Sequence, residues 1–159
     1  MSKKRIYWIL PLLFLCWSCA EDNVMIPEDD SSGSVAELTI TEEILKLVNQ
    51  HRQTIGKSKL TRSKTADELA LNHTNYMISK NKISHDNFSD RWSMLQQEVN
   101  ATGAGENVAS GYPTAQSVVS AWLNSSGHKA NIEGNFTHIG IAAIKDRQGK
   151  YYYTQLFYR

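Results

Sequence analysis

The amino-acid sequence predicts an α+β fold in which helices cover a small, mostly antiparallel sheet. Four segments before Ser125 carry apolar residues at helical spacing. Two β-branched or aromatic runs lie close together at the C-terminus, where they are typical of a hairpin. A length of 159 residues and a hydrophobic fraction of 41% suit one compact domain. Helices and a hairpin in one small domain pack as layers.

The first 18 residues have the order of a secretory signal peptide. Basic residues at 3–5 precede an apolar run over residues 6–17, which is too short to span a bilayer as a permanent helix. The pair Ser18-Cys19 resembles the cleavage junction of a bacterial lipoprotein. We therefore expect removal of residues 1–18 and a membrane anchor attached to Cys19.

Residues 19–38 are acidic and contain a Ser/Gly cluster, which predicts a flexible tether before a folded domain at residues 39–159. Acidic residues behind Cys19 resemble the surface-export signal of Bacteroidetes-type lipoproteins. The expected location is therefore the cell envelope, on the outer membrane or the cell surface. Without residues 1–18 the formal charge changes from +1 to −2, because all three basic residues there are lost. No basic field indicates nucleic-acid binding.

Both cysteines of the chain, Cys16 and Cys19, fall at this N-terminal junction. Their C-x-x-C spacing lacks the strand-to-helix context of a redox motif. Cys16 also stands where a lipoprotein leader usually has leucine. The predicted domain thus has neither a disulfide nor a thiolate nucleophile, which excludes cysteine-protease chemistry.

The first two helices are predicted from capping-box patterns. Thr39 with Glu42 begins one helix, and Thr65 with Glu68 begins a second, which extends to about residue 82. In each case apolar residues at helical spacing follow the cap.

Two further helices and three strands complete the prediction. Helices are expected over residues 89–99 and 114–124, the latter opened by a proline. A short strand is expected at 106–111, and a hairpin at 139–145 and 150–159, joined by the sequence DRQG.

Histidines and one acidic residue are the candidate functional groups. His73 falls on the apolar face of the second helix, which favours a hydrogen-bonded core histidine. His85 and His128 each follow a predicted helix in a break, and Glu106 lies between glycines. Two imidazoles and a carboxylate can hold a divalent metal or act as acid and base. Spacing alone does not bring them together.

Five motifs in order resemble one family. They are LVNQHR, then LNHTNYM followed by SH, then GEN, AWLNSSGHKANI and FTHIGIA. They are similar to the motifs of the CAP superfamily, whose SCP domain occurs in cysteine-rich secretory, antigen 5 and pathogenesis-related proteins. The likeness is greatest to its bacterial branch and covers residues 47–157.

The resemblance implies a three-layer α-β-α sandwich with a cleft that holds two histidines and two acidic residues. By position, the histidines are His85 and His128, both also possible ligands of a metal such as zinc, and one acid is Glu106. The second acid position, a glutamate in eukaryotic members, is occupied by Ser125. This departure lowers the expected metal affinity and weakens any mechanism that needs two carboxyl groups.

Polar residues beside these positions complete the site implied by the resemblance. Asn107 and Asn131 correspond to polar supports of the cleft walls, and together with Ser125 they are the expected binding residues. Asn49 and Arg52 match an N-x-x-R pattern that locks the first helix.

Three functions stay open at this point. The resemblance favours a binding module, with a small ligand, a lipid or a divalent metal in the cleft and no required cofactor. A metal-assisted extracellular hydrolase would use Glu106 as base and zinc on His85 and His128. An adhesion protein would expose the Tyr-rich strand at 150–159, although its alternation favours a core strand.

Overall fold

The computed structural model describes the backbone of residues 32–159 and the side chains of residues 40–159. The predicted signal peptide and Cys19 lie outside the described residues. The elements are α1 (Ser32–Thr54), β1 (Thr61–Arg62), α2 (Lys64–Ser79), α3 (Phe88–Val99), β2 (Ala104–Ser110), α4 (Ala115–Leu123), α5 (Ser126–Ile132), β3 (His138–Lys145) and β4 (Tyr151–Tyr158). The predicted α+β class is confirmed.

Four strands form one sheet in the order β1-β3-β4-β2. The pairs β3-β4 and β2-β4 are antiparallel, and β1 pairs with β3 in parallel. The predicted hairpin is confirmed, with Gly149 at a φ of 79° in its turn. The predicted strand at 106–111 is confirmed as β2. Strand β1 was not predicted, because two residues are too few to show an alternation.

Helices pack on both faces of the sheet and give the three layers. On one face, α1, α4 and α5 contribute Ile44, Val48, Val118, Trp122 and Ile132 to a core with Ile141, Tyr153 and Phe157 of the sheet. On the other face, α2 and α3 pack Leu69 and Leu95 against Ala142 and Leu156. All eight residues of β4 are buried. The Tyr-rich segment is thus a core strand, and the exposed aromatic edge that adhesion would need is contradicted.

Both capping boxes predicted from the sequence are wrong, whereas a capping box that was not predicted opens α4. Helix α4 begins after Thr114, which forms a capping box with Ser117. Helix α1 already begins at Ser32, so Thr39 lies inside it and is not its N-cap. The N-cap of α2 is Ser63, whose Oγ accepts from the Ala66 N–H at 3.3 Å. Thr65 is not the cap because the chain leaves β1 at Arg62 and turns into the helix at once.

Close contact between α2 and the sheet depends on Gly140 of β3. A Cβ atom at this position would overlap the backbone of Ala66 and Asp67 at the start of α2. The absence of a side chain therefore lets the helix approach the strand directly. By contrast, a Cβ atom at Gly127 in α5 would meet nothing within 4 Å.

This difference gives a stability prediction. Gly140→Ala should destabilise the protein by about 3 kcal/mol or more, because the helix must move away from the strand. Gly127→Ala is the matched control, and it should be neutral or stabilise by up to ~1 kcal/mol through better helix propensity. Urea unfolding of the two variants measures the difference. Equal midpoints for both variants would contradict close packing of α2 on Gly140.

Candidate functional site

The candidate site, which comprises His85, Glu106 and His128, lies around the edge strand β2. Helices α4 and α5 cover the free edge of this strand. The Asn131 Nδ2 donates to the Glu106 carbonyl at 3.0 Å, and the Trp122 Nε1 donates to the Val108 carbonyl at 3.3 Å. These side chains satisfy backbone carbonyls that an uncovered edge would expose.

A buried ion pair between Glu106 and Arg91 forms the base of the site. The Arg91 Nε donates to Glu106 Oε2 at 2.7 Å, and its Nη2 donates to Glu106 Oε1 at 2.9 Å. The two residues are only 6% and 7% exposed. Two parallel, charge-assisted bonds of this kind hold a carboxylate firmly and in one orientation. A buried carboxylate without such a partner would be strongly unfavourable.

Arg91 is not among the site residues predicted from the sequence, because an arginine in a surface helix ordinarily points to solvent. One signal was present. Arg91 lies four residues before Leu95, and both are buried in α3. Residues at this spacing share one face of a helix. The buried face of α3 therefore includes a charged residue that needs a partner.

His85 lies in the loop between α2 and α3, with its ring held by Glu106. The distance from His85 Nδ1 to Glu106 Oε1 is 2.8 Å, and the histidine side chain is 54% exposed. An ionised carboxylate only accepts hydrogen bonds, so Nδ1 carries the proton. In the neutral ring the Nε2 atom then retains its lone pair.

Two buried side chains fix the loop on either side of His85. The His73 Nε2 donates to the Ser84 carbonyl at 2.7 Å, and the Arg91 Nη1 donates to the Asp86 carbonyl at 2.9 Å. The residues on both sides of His85 are therefore fixed by hydrogen bonds to their carbonyls, which keeps the exposed ring in place.

His73 is the hydrogen-bonded core histidine that its position on α2 predicts. It is 3% exposed, and its Nε2 lies 3.8 Å from Glu106 Oε1. Burial lowers the pKa of His73, and the charges of Arg91 and His85 lower it further, whereas Glu106 acts in the opposite direction. A neutral His73 can donate to Ser84 without adding a second buried cation beside Arg91.

His128 lies in helix α5 and not in a loop, which corrects the prediction of a break at SSGHKANI. Ser125 is the N-cap residue of α5, so Ser126 and Gly127 form its first turn. The His128 Nδ1 lies 2.9 Å from Ser125 Oγ. Burial lowers the pKa of His128, and the charge of His85 lowers it further.

The predicted binding residues Asn107 and Asn131 connect α5 to β2. The Asn131 Nδ2 donates to Asn107 Oδ1 at 2.9 Å. The Asn107 Nδ2 lies 3.1 Å from the His128 carbonyl and 3.0 Å from Gln155 Oε1. Asn107 is fully buried, and these bonds fix the position of α5 against the sheet. Both amides thus link α5 to β2.

Arg52 performs a similar structural role at the other end of α5. Its guanidinium donates to the carbonyls of Ile132, Gly134 and Phe136 at 2.7, 2.9 and 3.3 Å. Asn49 exchanges two hydrogen bonds with the backbone of Leu60. The N-x-x-R pattern therefore ties α1 to the chain segments before β1 and β3.

The donor set of the site does not fit a resident zinc ion. Arg91 occupies both oxygens of Glu106, and His85 shares one of them. In residues 40–159 no group of three or more His, Cys, Asp or Glu side chains is arranged to hold a metal. Zinc sites in proteins use at least three such ligands, whereas His85 and His128 supply two imidazoles. The engaged oxygens also leave Glu106 poorly placed as a general base.

Comparison with known proteins identifies the family. Residues 45–157 match the family model described as CAP, the cysteine-rich secretory protein family. The chain belongs to the CAP family. Its site residues, including His85, Glu106 and His128, all fall within the matched range.

Two bacterial relatives are similar in sequence, both from Bacillus subtilis (strain 168). YkwD is 33% identical over 108 residues, which is 65% of this chain and 42% of YkwD. YlbC, named as a membrane protein, is 34% identical over 134 residues, which is 80% of this chain and 37% of YlbC. The chain thus spans well under half the length of these relatives.

Solved structures share the CAP fold. An extracellular SCP-domain protein of Bacillus anthracis has a TM-score of 0.71 at 28% identity, covering 84% of this chain and 44% of its own. An outer surface protein of Borrelia burgdorferi has a TM-score of 0.69 at 21% identity, and the match covers 76% of this chain and 92% of the Borrelia protein. The second likeness concerns the fold alone. Within the part of the chain that the structure describes, no helix is long and apolar enough to cross a membrane.

Proposed function

We propose that this CAP protein is exported, anchored to a membrane of the cell envelope through Cys19, and binds a small ligand between His85 and His128. The observation that carries the proposal is the exposed His85 ring, oriented by Glu106 of β2 at 2.8 Å, while the next residue of β2, Asn107, binds the His128 carbonyl at 3.1 Å. Ring nitrogens fixed in this way offer oriented hydrogen-bonding groups to a ligand.

Binding is favoured over catalysis by the roles of the surrounding groups. Glu106 is held by Arg91, and His73 and Arg91 hold the loop of His85. These groups hydrogen-bond to one another, so the Nε2 atoms of His85 and His128 stay available to bind a ligand. Because the Arg91 charge balances that of Glu106, the site has no net charge while its histidines are neutral. A neutral ligand suits such a site best.

Membrane anchoring is supported by the lipoprotein-like junction Ser18-Cys19. A tethered domain at the envelope is consistent with the relatives named as extracellular, outer surface or membrane proteins. A lipid anchor would hold the domain at the surface without a spanning helix.

Ligand binding predicts a specific pattern of thermal shifts. In a screen of neutral small molecules and solubilised lipids, at least one compound should raise the melting temperature of the purified chain. His85→Ala and His128→Ala should each remove that shift. His138→Ala is the control and should retain it, because the His138 ring stacks on Tyr158 outside the site. Shifts that survive both site variants would contradict the proposed binding site.

Anchoring predicts a change in cell fractionation. Cys19→Ser removes the thiol that a lipid would modify, so most of the protein should leave the membrane fraction. Cys16→Leu alters the neighbouring cysteine to the usual residue of lipoprotein leaders and should stay with the membrane. Membrane retention of Cys19→Ser would show that no lipid on this residue holds the protein.

A further inference from the structure

We infer that Ser125 sets the proton position on His128 so that the site presents one acceptor and one donor, which together select a carboxamide group. This inference rests on the proposed binding of a ligand between His85 and His128. It names the chemistry of that ligand, and it assigns to Ser125 a positioning role that no carboxylate could perform.

The acceptor is Nε2 of His85. Glu106 accepts the Nδ1 proton at 2.8 Å, and a carboxylate held by Arg91 has no proton to give back. The neutral ring of His85 therefore has a fixed tautomer, with its lone pair on the exposed Nε2.

The donor is Nε2 of His128, because of the contact with Ser125. Ser125 is the N-cap residue of α5, yet its side chain caps no backbone N–H of that helix. Its Oγ instead lies 2.9 Å from His128 Nδ1. Among the described residues, Nδ1 is the one acceptor within reach of this hydroxyl. Donation from the hydroxyl to Nδ1 leaves the ring proton on Nε2.

A carboxylate at position 125 would produce the opposite tautomer. Glutamate, which the resemblance places at this position in eukaryotic CAP members, can only accept a hydrogen bond when it is ionised. It would place the proton of His128 on Nδ1 and leave a lone pair on Nε2. Two lone pairs, from His85 and His128, would then suit a metal ion. With serine, the His85 Nε2 offers a lone pair and the His128 Nε2 offers an N–H group. This combination disfavours a metal ion and suits a ligand group that both donates and accepts a hydrogen bond.

A carboxamide fits this pair of groups. Its N–H can donate to His85 Nε2 while its carbonyl accepts from the His128 Nε2–H. A carboxylate ligand has no proton for His85, and an ammonium ligand has no acceptor for His128. Glu106 and Arg91 compensate each other, so the site offers no net charge to attract an ion. The matching ligand class is a neutral carboxamide.

The test is long-range ¹H–¹⁵N NMR of the histidine rings in the purified full-length chain, at a pH where the rings are neutral. We expect the Nδ1–H tautomer for His85 and the Nε2–H tautomer for His128. Ser125→Glu should convert His128 to the Nδ1–H tautomer. Ser126→Glu adds the same charge one residue away at an exposed position and should leave His128 unchanged. An Nδ1–H tautomer of His128 in the original chain, or no conversion in Ser125→Glu, would overturn the inference.

Ligand class is tested on the same samples with acetamide, acetate and zinc. Acetamide should shift the signals of both rings, whereas acetate, which has no proton to donate, should leave the signals of His85 unshifted. Ser125→Glu should weaken the binding of acetamide and strengthen the binding of zinc. Each affinity should change by about tenfold, as expected for one altered hydrogen bond or metal ligand. Acetamide that shifts neither ring, while other neutral compounds still bind through both histidines, would overturn the amide assignment and leave the proposed function standing. The proposed function itself fails if no compound depends on either histidine.

Discussion

The buried ion pair between Arg91 and Glu106 is the interaction on which the rest of the site depends. Glu106 belongs to the edge strand β2, and Arg91 belongs to helix α3 on one face of the sheet. Two buried charges are tolerated only when each satisfies the other. The pair therefore fixes α3 against β2. The same guanidinium also holds the Asp86 carbonyl, which positions the loop that displays His85.

The two histidines reach the site from opposite faces of the sheet. His85 comes from the loop between α2 and α3, whereas His128 comes from α5, which packs with α1 and α4 on the other face. Strand β2 lies between them at the edge of the sheet. Trp122 and Asn131 bind carbonyls of this strand, so the segment AWLNSSGHKANI both covers the edge and delivers the histidine. One short stretch thereby combines a structural and a chemical role.

Long periodic elements could be predicted from the sequence, and short or non-local features could not. Helix α4 and the β3-β4 hairpin have enough residues to show their periods, whereas β1 has two residues and α5 has seven. The proximity of His85 and Glu106 was accessible through family motifs alone, because 21 positions separate them and tertiary packing sets their distance. Arg91 and Ser125 were harder to interpret. Their roles depend on the acceptors of their hydrogen bonds. Tertiary packing determines these acceptors, and the sequence pattern does not identify them.

The most direct measurement is a double-mutant cycle on the ion pair, read as the free energy of unfolding in urea. Arg91→Met and Glu106→Leu should each cost about 3–5 kcal/mol, because each leaves an uncompensated buried charge. The double variant should cost far less than the sum of the two, since no charge remains buried. Costs that simply add would show that the two residues are energetically independent, and would contradict the claim that their pairing organises the site.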